Sequence, residues 1–188
     1  MANFKSKVVE IIPPQNIWVG NEKAKVKLVM YGEYESETCE KANVVVNKLL
    51  QHFPDQVKFN FRHFPLTRIH QHSHKAAEAS VAAAQEGKFW PMHNLLFANR
   101  RNLGTASLKL YAKEAGVMNK KFLVEMMDSV YGWQVRNDLL QGVEIGVRDV
   151  PTFYINDVLY SGRITLPEMS RAIEEALTSK KKVPAQRA

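Results

Sequence analysis

The chain has 188 residues, 45% of them apolar and 24% charged, with a formal net charge of +7; that is material for one domain with a substantial core and too little for two full ones. No run of about 18 apolar residues occurs, which excludes a membrane-spanning helix, and the single cysteine, Cys39, excludes an intrachain disulfide and a cysteine-based zinc site. The charge is no nucleic-acid signature, because Lys180, Lys181, Lys182 and Arg187 crowd into the last nine residues and no binding motif accompanies them.

Met1–Glu10 holds Lys5, Lys7 and Glu10 where a leader needs an apolar stretch. The expectation is a cytoplasmic protein as the sequence stands, or an extracytoplasmic one whose leader has been removed. Lys25-Val-Lys-Leu-Val-Met-Tyr31 reads as a strand ended by Gly32. From Thr38 to Phe53, Ala42, Val45, Val46, Leu49, Leu50 and Phe53 recur at spacings of three and four, which predicts an amphipathic helix. Pro54-Asp55 stops it, and Val57-Lys-Phe-Asn-Phe-Arg-His63 alternates as a second strand. Strand, helix and strand together have the length of a parallel βαβ crossover.

Residues 70–131 hold no strand pattern. An alanine-rich helix runs through Ala76 to Ala84 and ends at Gly87. A second is expected around Phe89 to Phe97, and others over Ser107–Ala115 and Lys120–Val130, with Met118, Met126 and Met127 assigned to the helical core or, where exposed, to a peptide groove. Trp133–Gly146 returns as a helix. Pro151–Ile155 and Val158–Ser161 form a hairpin about Asn156-Asp157, and Pro167 opens a last helix with Met169, Ile173 and Ala176 on one side. The expected organisation is an α/β domain made of 1–64 and 134–179, a helical insertion over 65–133, and a disordered basic tail over 180–188.

Three segments, agreeing in order and spacing from Pro13 to Leu177, resemble the DsbA-like thiol-disulfide oxidoreductases. They are Val29-Met-Tyr-Gly-Glu-Tyr-Glu-Ser-Glu-Thr-Cys39; Arg62-His-Phe-Pro-Leu66 with His70-Gln-His72 and Gly87-Lys-Phe-Trp90; and Gly146-Val-Arg-Asp-Val-Pro-Thr-Phe-Tyr-Ile-Asn156. The resemblance is to the bacterial branch of short members, some fused to sodium/proton antiporters. It implies a thioredoxin-like fold, a mixed βαβ…ββα sheet with an all-helical insertion, and protein disulfide oxidoreductase chemistry on cysteine-bearing polypeptides or glutathione, without cofactor or metal. Where the family carries Cys-x-x-Cys, this chain carries Ser36-Glu37-Thr38-Cys39. Serine stands at the nucleophile's position and the surviving cysteine at the resolving one.

Ser36 and Cys39 are therefore the candidate catalytic residues, and one cysteine alone cannot carry dithiol exchange. Cys39 is either an accessible thiolate for mixed disulfides or a small buried apolar residue with a raised pKa. Ser36 is a helix cap, a hydroxyl donor to a bound thiolate as in kappa-class glutathione transferases, or an engineered replacement of cysteine. The resemblance makes Pro151 a cis proline facing the motif and gives Val150, with Glu37 and Thr38, to substrate binding by strand addition. His70, His72 and His74 have metal-like spacing but no obvious carboxylate partner, and His63 reads as a strand-end packing residue. Three functions follow: an oxidoreductase relative reduced to one-cysteine or no chemistry; a non-catalytic peptide-binding module; and a kappa-like glutathione-dependent transferase using Ser36.

Overall fold

The computed structural model describes residues 11–179; the readings for Met1–Glu10 and for 180–188 lie outside them. A 3-10 turn, Pro14–Asn16, precedes strands β1 (Trp18–Gly20) and β2 (Val26–Gly32), helix α1 (Glu37–His52) and strand β3 (Val57–His63). Helices α2 (Ser73–Ala84), α3 (Phe89–Ala98), α4 (Thr105–Glu114) and α5 (Phe122–Met127) follow. Helix α6 (Gly132–Glu144) leads to β4 (Thr152–Ile155), β5 (Val158–Tyr160) and α7 (Leu166–Thr178). The five strands form one mixed sheet in the order β1-β3-β2-β4-β5, with β2 and β3 parallel and the other pairs antiparallel. This is the thioredoxin-like arrangement expected from the sequence. None of the described helices is long and apolar enough to cross a membrane.

The faces of the sheet follow from the two-residue period of a strand. Val26, Leu28 and Met30 of β2 are fully buried, and Val57, Phe59, Phe61 and His63 of β3 continue that face. There Phe59 packs against Trp90 of α3, ring centroids 5.6 Å apart, and Phe61 against His93 at 4.7 Å. The opposite face carries Tyr31 and Arg62 and is covered by α6. Gly142 makes that approach possible, because a Cβ there would lie 2.9 Å from the Phe64 ring and 3.0 Å from Tyr31. Asp138 of α6 fixes the docking: its Oδ1 accepts from Arg62 Nε at 2.7 Å and its Oδ2 from the His63 N–H at 2.9 Å.

One strand was not anticipated, one helix is shorter than expected, and one open alternative is resolved. β1 carried no recognisable pattern, since three residues are too few for a period and its pairing with β3 supplies the order. Helix α5 is shorter than Lys120–Val130, ending at Met127 before Ser129 adopts a positive φ of 52°. Of the three methionines, Met126 is core, but Met118 and Met127 are 80% and 67% exposed. Met127 ends α5, whose inward side is taken by Phe122 and Met126, and Met118 lies between α4 and α5.

Candidate functional site

The carboxyl ends of β2 and β3 open onto the turn Glu33-Tyr34-Glu35-Ser36 and the first turn of α1. Ser36 has extended backbone, φ −70° and ψ 125°, and its Oγ accepts the Cys39 N–H at 3.2 Å as the cap of α1. Ser36 Oγ also lies 2.8 Å from Thr38 Oγ1, which donates to the Val150 carbonyl at 3.5 Å. The helix start is thereby latched to the loop before β4, where the Val150–Pro151 peptide is cis.

Cys39 is completely buried. Burial pushes its thiol up to about 12; the Ser36 hydroxyl and the Glu33 backbone act in the opposite direction, and the Glu33 and Asp149 carboxylates add to the rise. A thiol in that environment stays protonated and is a weak nucleophile.

The surroundings are charged and mostly paired. Glu33 is 2% exposed, and its Oε1 lies 2.6 Å from His70 Nδ1. Burial raises its carboxyl above the usual range, against the Glu35 N–H and His70, which favour the anion. Glu35 Oε2 accepts the His72 N–H at 2.8 Å. Arg100, from beyond α3, donates to Glu40 Oε2 at 2.6 Å, Glu37 Oε2 at 3.3 Å and the Glu35 carbonyl at 3.4 Å. Lys41 and then Arg100 hold the exposed Glu37 carboxyl below its usual range. Behind the turn, Tyr34 OH lies 3.1 Å from His93 Nδ1, and His93 Nε2 lies 3.1 Å from Asn43 Oδ1. The Asn43 oxygen only accepts, so Nε2 donates to it and Nδ1 accepts from Tyr34.

Ser36, Thr38, Cys39 and Val150 therefore come together, with Pro151 next to them. Glu37 is turned to Lys41 and Arg100. The histidines are not clustered on one ligand: His70 meets Glu33, His74 Nε2 lies 3.3 Å from the fully buried Glu78, and His72 contributes its amide. Two carboxylate partners thus exist that sequence reasoning did not find. His63 is fully buried, with Nε2 3.2 Å from Ser80 Oγ. The residues missed outright are the Glu33–His70 pair, Arg100 and Asp149. Arg100 and Glu40 are 60 residues apart, and no local pattern joins them.

A family model described as Thioredoxin matches residues 13–175. Among curated proteins, the Na(+)/H(+) antiporter NhaA 3 of Salinispora tropica is 31% identical over 172 residues, covering 92% of this chain and 26% of that protein. The chain thus spans about a quarter of the length of the curated relatives it matches. Among solved structures, oxidised BdbD from Bacillus subtilis superposes with a TM-score of 0.80 at 23% identity, over 89% of this chain and 94% of that one. The thiol-disulfide exchange protein alpha-DsbA2 from Wolbachia pipientis gives 0.72 at 21% identity, over 84% and 85%. At these identities the two structures speak for the fold.

Proposed function

Starting from the fact that this chain belongs to the thioredoxin family, we propose that it is a polypeptide-binding member in which dithiol exchange has been lost. An extended segment, in the first instance one bearing cysteine, docks beside the first turn of α1 on the backbone of Val150 and Pro151, by strand addition. The observation that carries this reading is the state of Cys39: fully buried, its thiol pushed up to about 12, one turn behind a serine that caps the helix. Oxidoreductase chemistry with one cysteine, on polypeptides or on glutathione, needs an exposed thiolate instead. A kappa-like transferase needs a free Ser36 hydroxyl, whereas Ser36 is 6% exposed and hydrogen-bonded to Thr38. The helical segment 65–133 is part of the proposal as the insertion that braces the site through His70 and Arg100.

The test is alkylation of Cys39 in the native protein with iodoacetamide across pH, read by intact mass. Modification only after denaturant is the expected result. Rapid native labelling with an apparent pKa below that of an ordinary thiol would restore one-cysteine exchange and end the binding-only reading.

A further inference from the structure

The docking edge carries a charge of its own. Asp149 Oδ1 accepts the Val150 N–H at 2.8 Å, the hydrogen that a strand-adding segment would use, and Thr152 Oγ1 donates to the Asp149 carbonyl at 2.6 Å. Across the site, Glu35 Oε2 accepts the His72 N–H. Among the described residues neither carboxylate has a cationic side chain within 4.0 Å, whereas Glu37 and Glu40 are matched by Lys41 and Arg100, and Glu33 by His70. The nearest cation in sequence to Asp149, Arg148, donates to the Val143 and Val147 carbonyls at the end of α6. Asp149 is therefore an unmatched anion on the docking edge of a chain whose formal charge is +7.

A segment that pairs with the Val150 N–H has to displace the Asp149 oxygen from it. The displaced carboxylate then lies against the incoming chain, where a neutral or anionic neighbour leaves it uncompensated and a cationic one does not. Resting on the peptide-docking reading above, we infer that Asp149 is a specificity-determining residue of this edge, selecting segments with Lys or Arg beside the docking position and turning away anionic ligands, glutathione among them.

The experiment is a chemical-shift titration of the full chain with short blocked peptides, identical except at two positions that are both Lys, both Gln or both Glu, and with glutathione, at low and high salt. Wild type is expected to rank them Lys, Gln, Glu, with about fivefold between steps at low salt, shrinking as salt screens the charges, and to show no shifts with glutathione. Asp149→Asn keeps an oxygen acceptor for the Val150 N–H and is expected to narrow the Lys-to-Glu ratio about fivefold, with its amide spectrum confirming the native fold. Equal affinities for the three peptides on wild type, or a ratio that Asp149→Asn does not move, overturns the inference and leaves the docking reading standing. If no peptide binds at all, both fall.

Discussion

The side chain of Ser36 takes the backbone N–H of Cys39 at 3.2 Å, so this hydroxyl serves the helix as its cap. A cap of this kind contributes typically about 1 kcal/mol. Ser36→Ala is accordingly expected to lower the unfolding free energy by about that amount, with Ser36→Asp close to wild type because a carboxylate accepts the same hydrogen and suits the helix dipole. Denaturant midpoints on the three proteins decide it. Equal stability of wild type and Ser36→Ala would mean that the hydroxyl is free for another task.

A thiol introduced at position 36 tests the proposed loss of dithiol exchange. Positions 36 and 39 are one helical turn apart, and the Cα separations that a disulfide spans, about 4.4–6.8 Å, include that spacing. Ser36→Cys is expected to lose two hydrogens in mass in an oxidised glutathione buffer and to show more reductase activity towards insulin than wild type. An introduced thiol that stays reduced, or pairs only with glutathione, would show that the buried Cys39 cannot reach it.

Strand β3 and helix α1 were legible in the sequence because each rests on a local repeat: alternation in Val57–His63, and spacings of three and four from Ala42 to Phe53. The motif residues Ser36, Cys39, Val150 and Pro151 were legible through resemblance. What surrounds them was not. Arg100 reaches Glu37, Glu40 and the Glu35 carbonyl only after α3 has packed on Phe61, and His70 meets Glu33 only because β3 ends beside β2 at Gly32. Asp149 escaped for a different reason. Its importance lies in a hydrogen bond to its own neighbour's amide, and composition does not distinguish that from an exposed loop acid.

Acid should weaken this fold through its buried imidazoles. His93 is held neutral down to about 3 by burial, against an ordinary value of 6.5, and His63 is lowered from the same value in the same direction. Between those limits the unfolded chain binds a proton that native His93 refuses. Stability therefore rises with pH in that window and is lost as pH falls from 6.5 towards 3, by up to about 1.4 kcal/mol per pH unit for each such histidine. His93→Gln, which can still donate to Asn43, is expected to flatten the dependence of unfolding free energy on pH by about one proton between these limits. Parallel curves for wild type and variant would remove His93 from the account.

The pair that fixes α6, and with it the loop leading to Val150, is Arg62 and Asp138. Arg62 Nη2 lies 2.6 Å from Asp138 Oδ1, with Asp138 fully buried and only 10% of the arginine side chain exposed. Such a pair adds little over a well-packed apolar pair, but removing one partner strands a charge, at about 3–5 kcal/mol. Asp138→Ala should therefore destabilise by that amount, because it orphans both Arg62 and the His63 N–H. Adding Arg62→Met should recover a large part of the loss, since it removes the stranded charge and fills the space beside Tyr31. A double-mutant cycle on unfolding free energies measures this coupling. If the losses simply add, the guanidinium is solvated without Asp138, and Gly142 against Tyr31 and Phe64 is what holds α6, and with it Val150, in place.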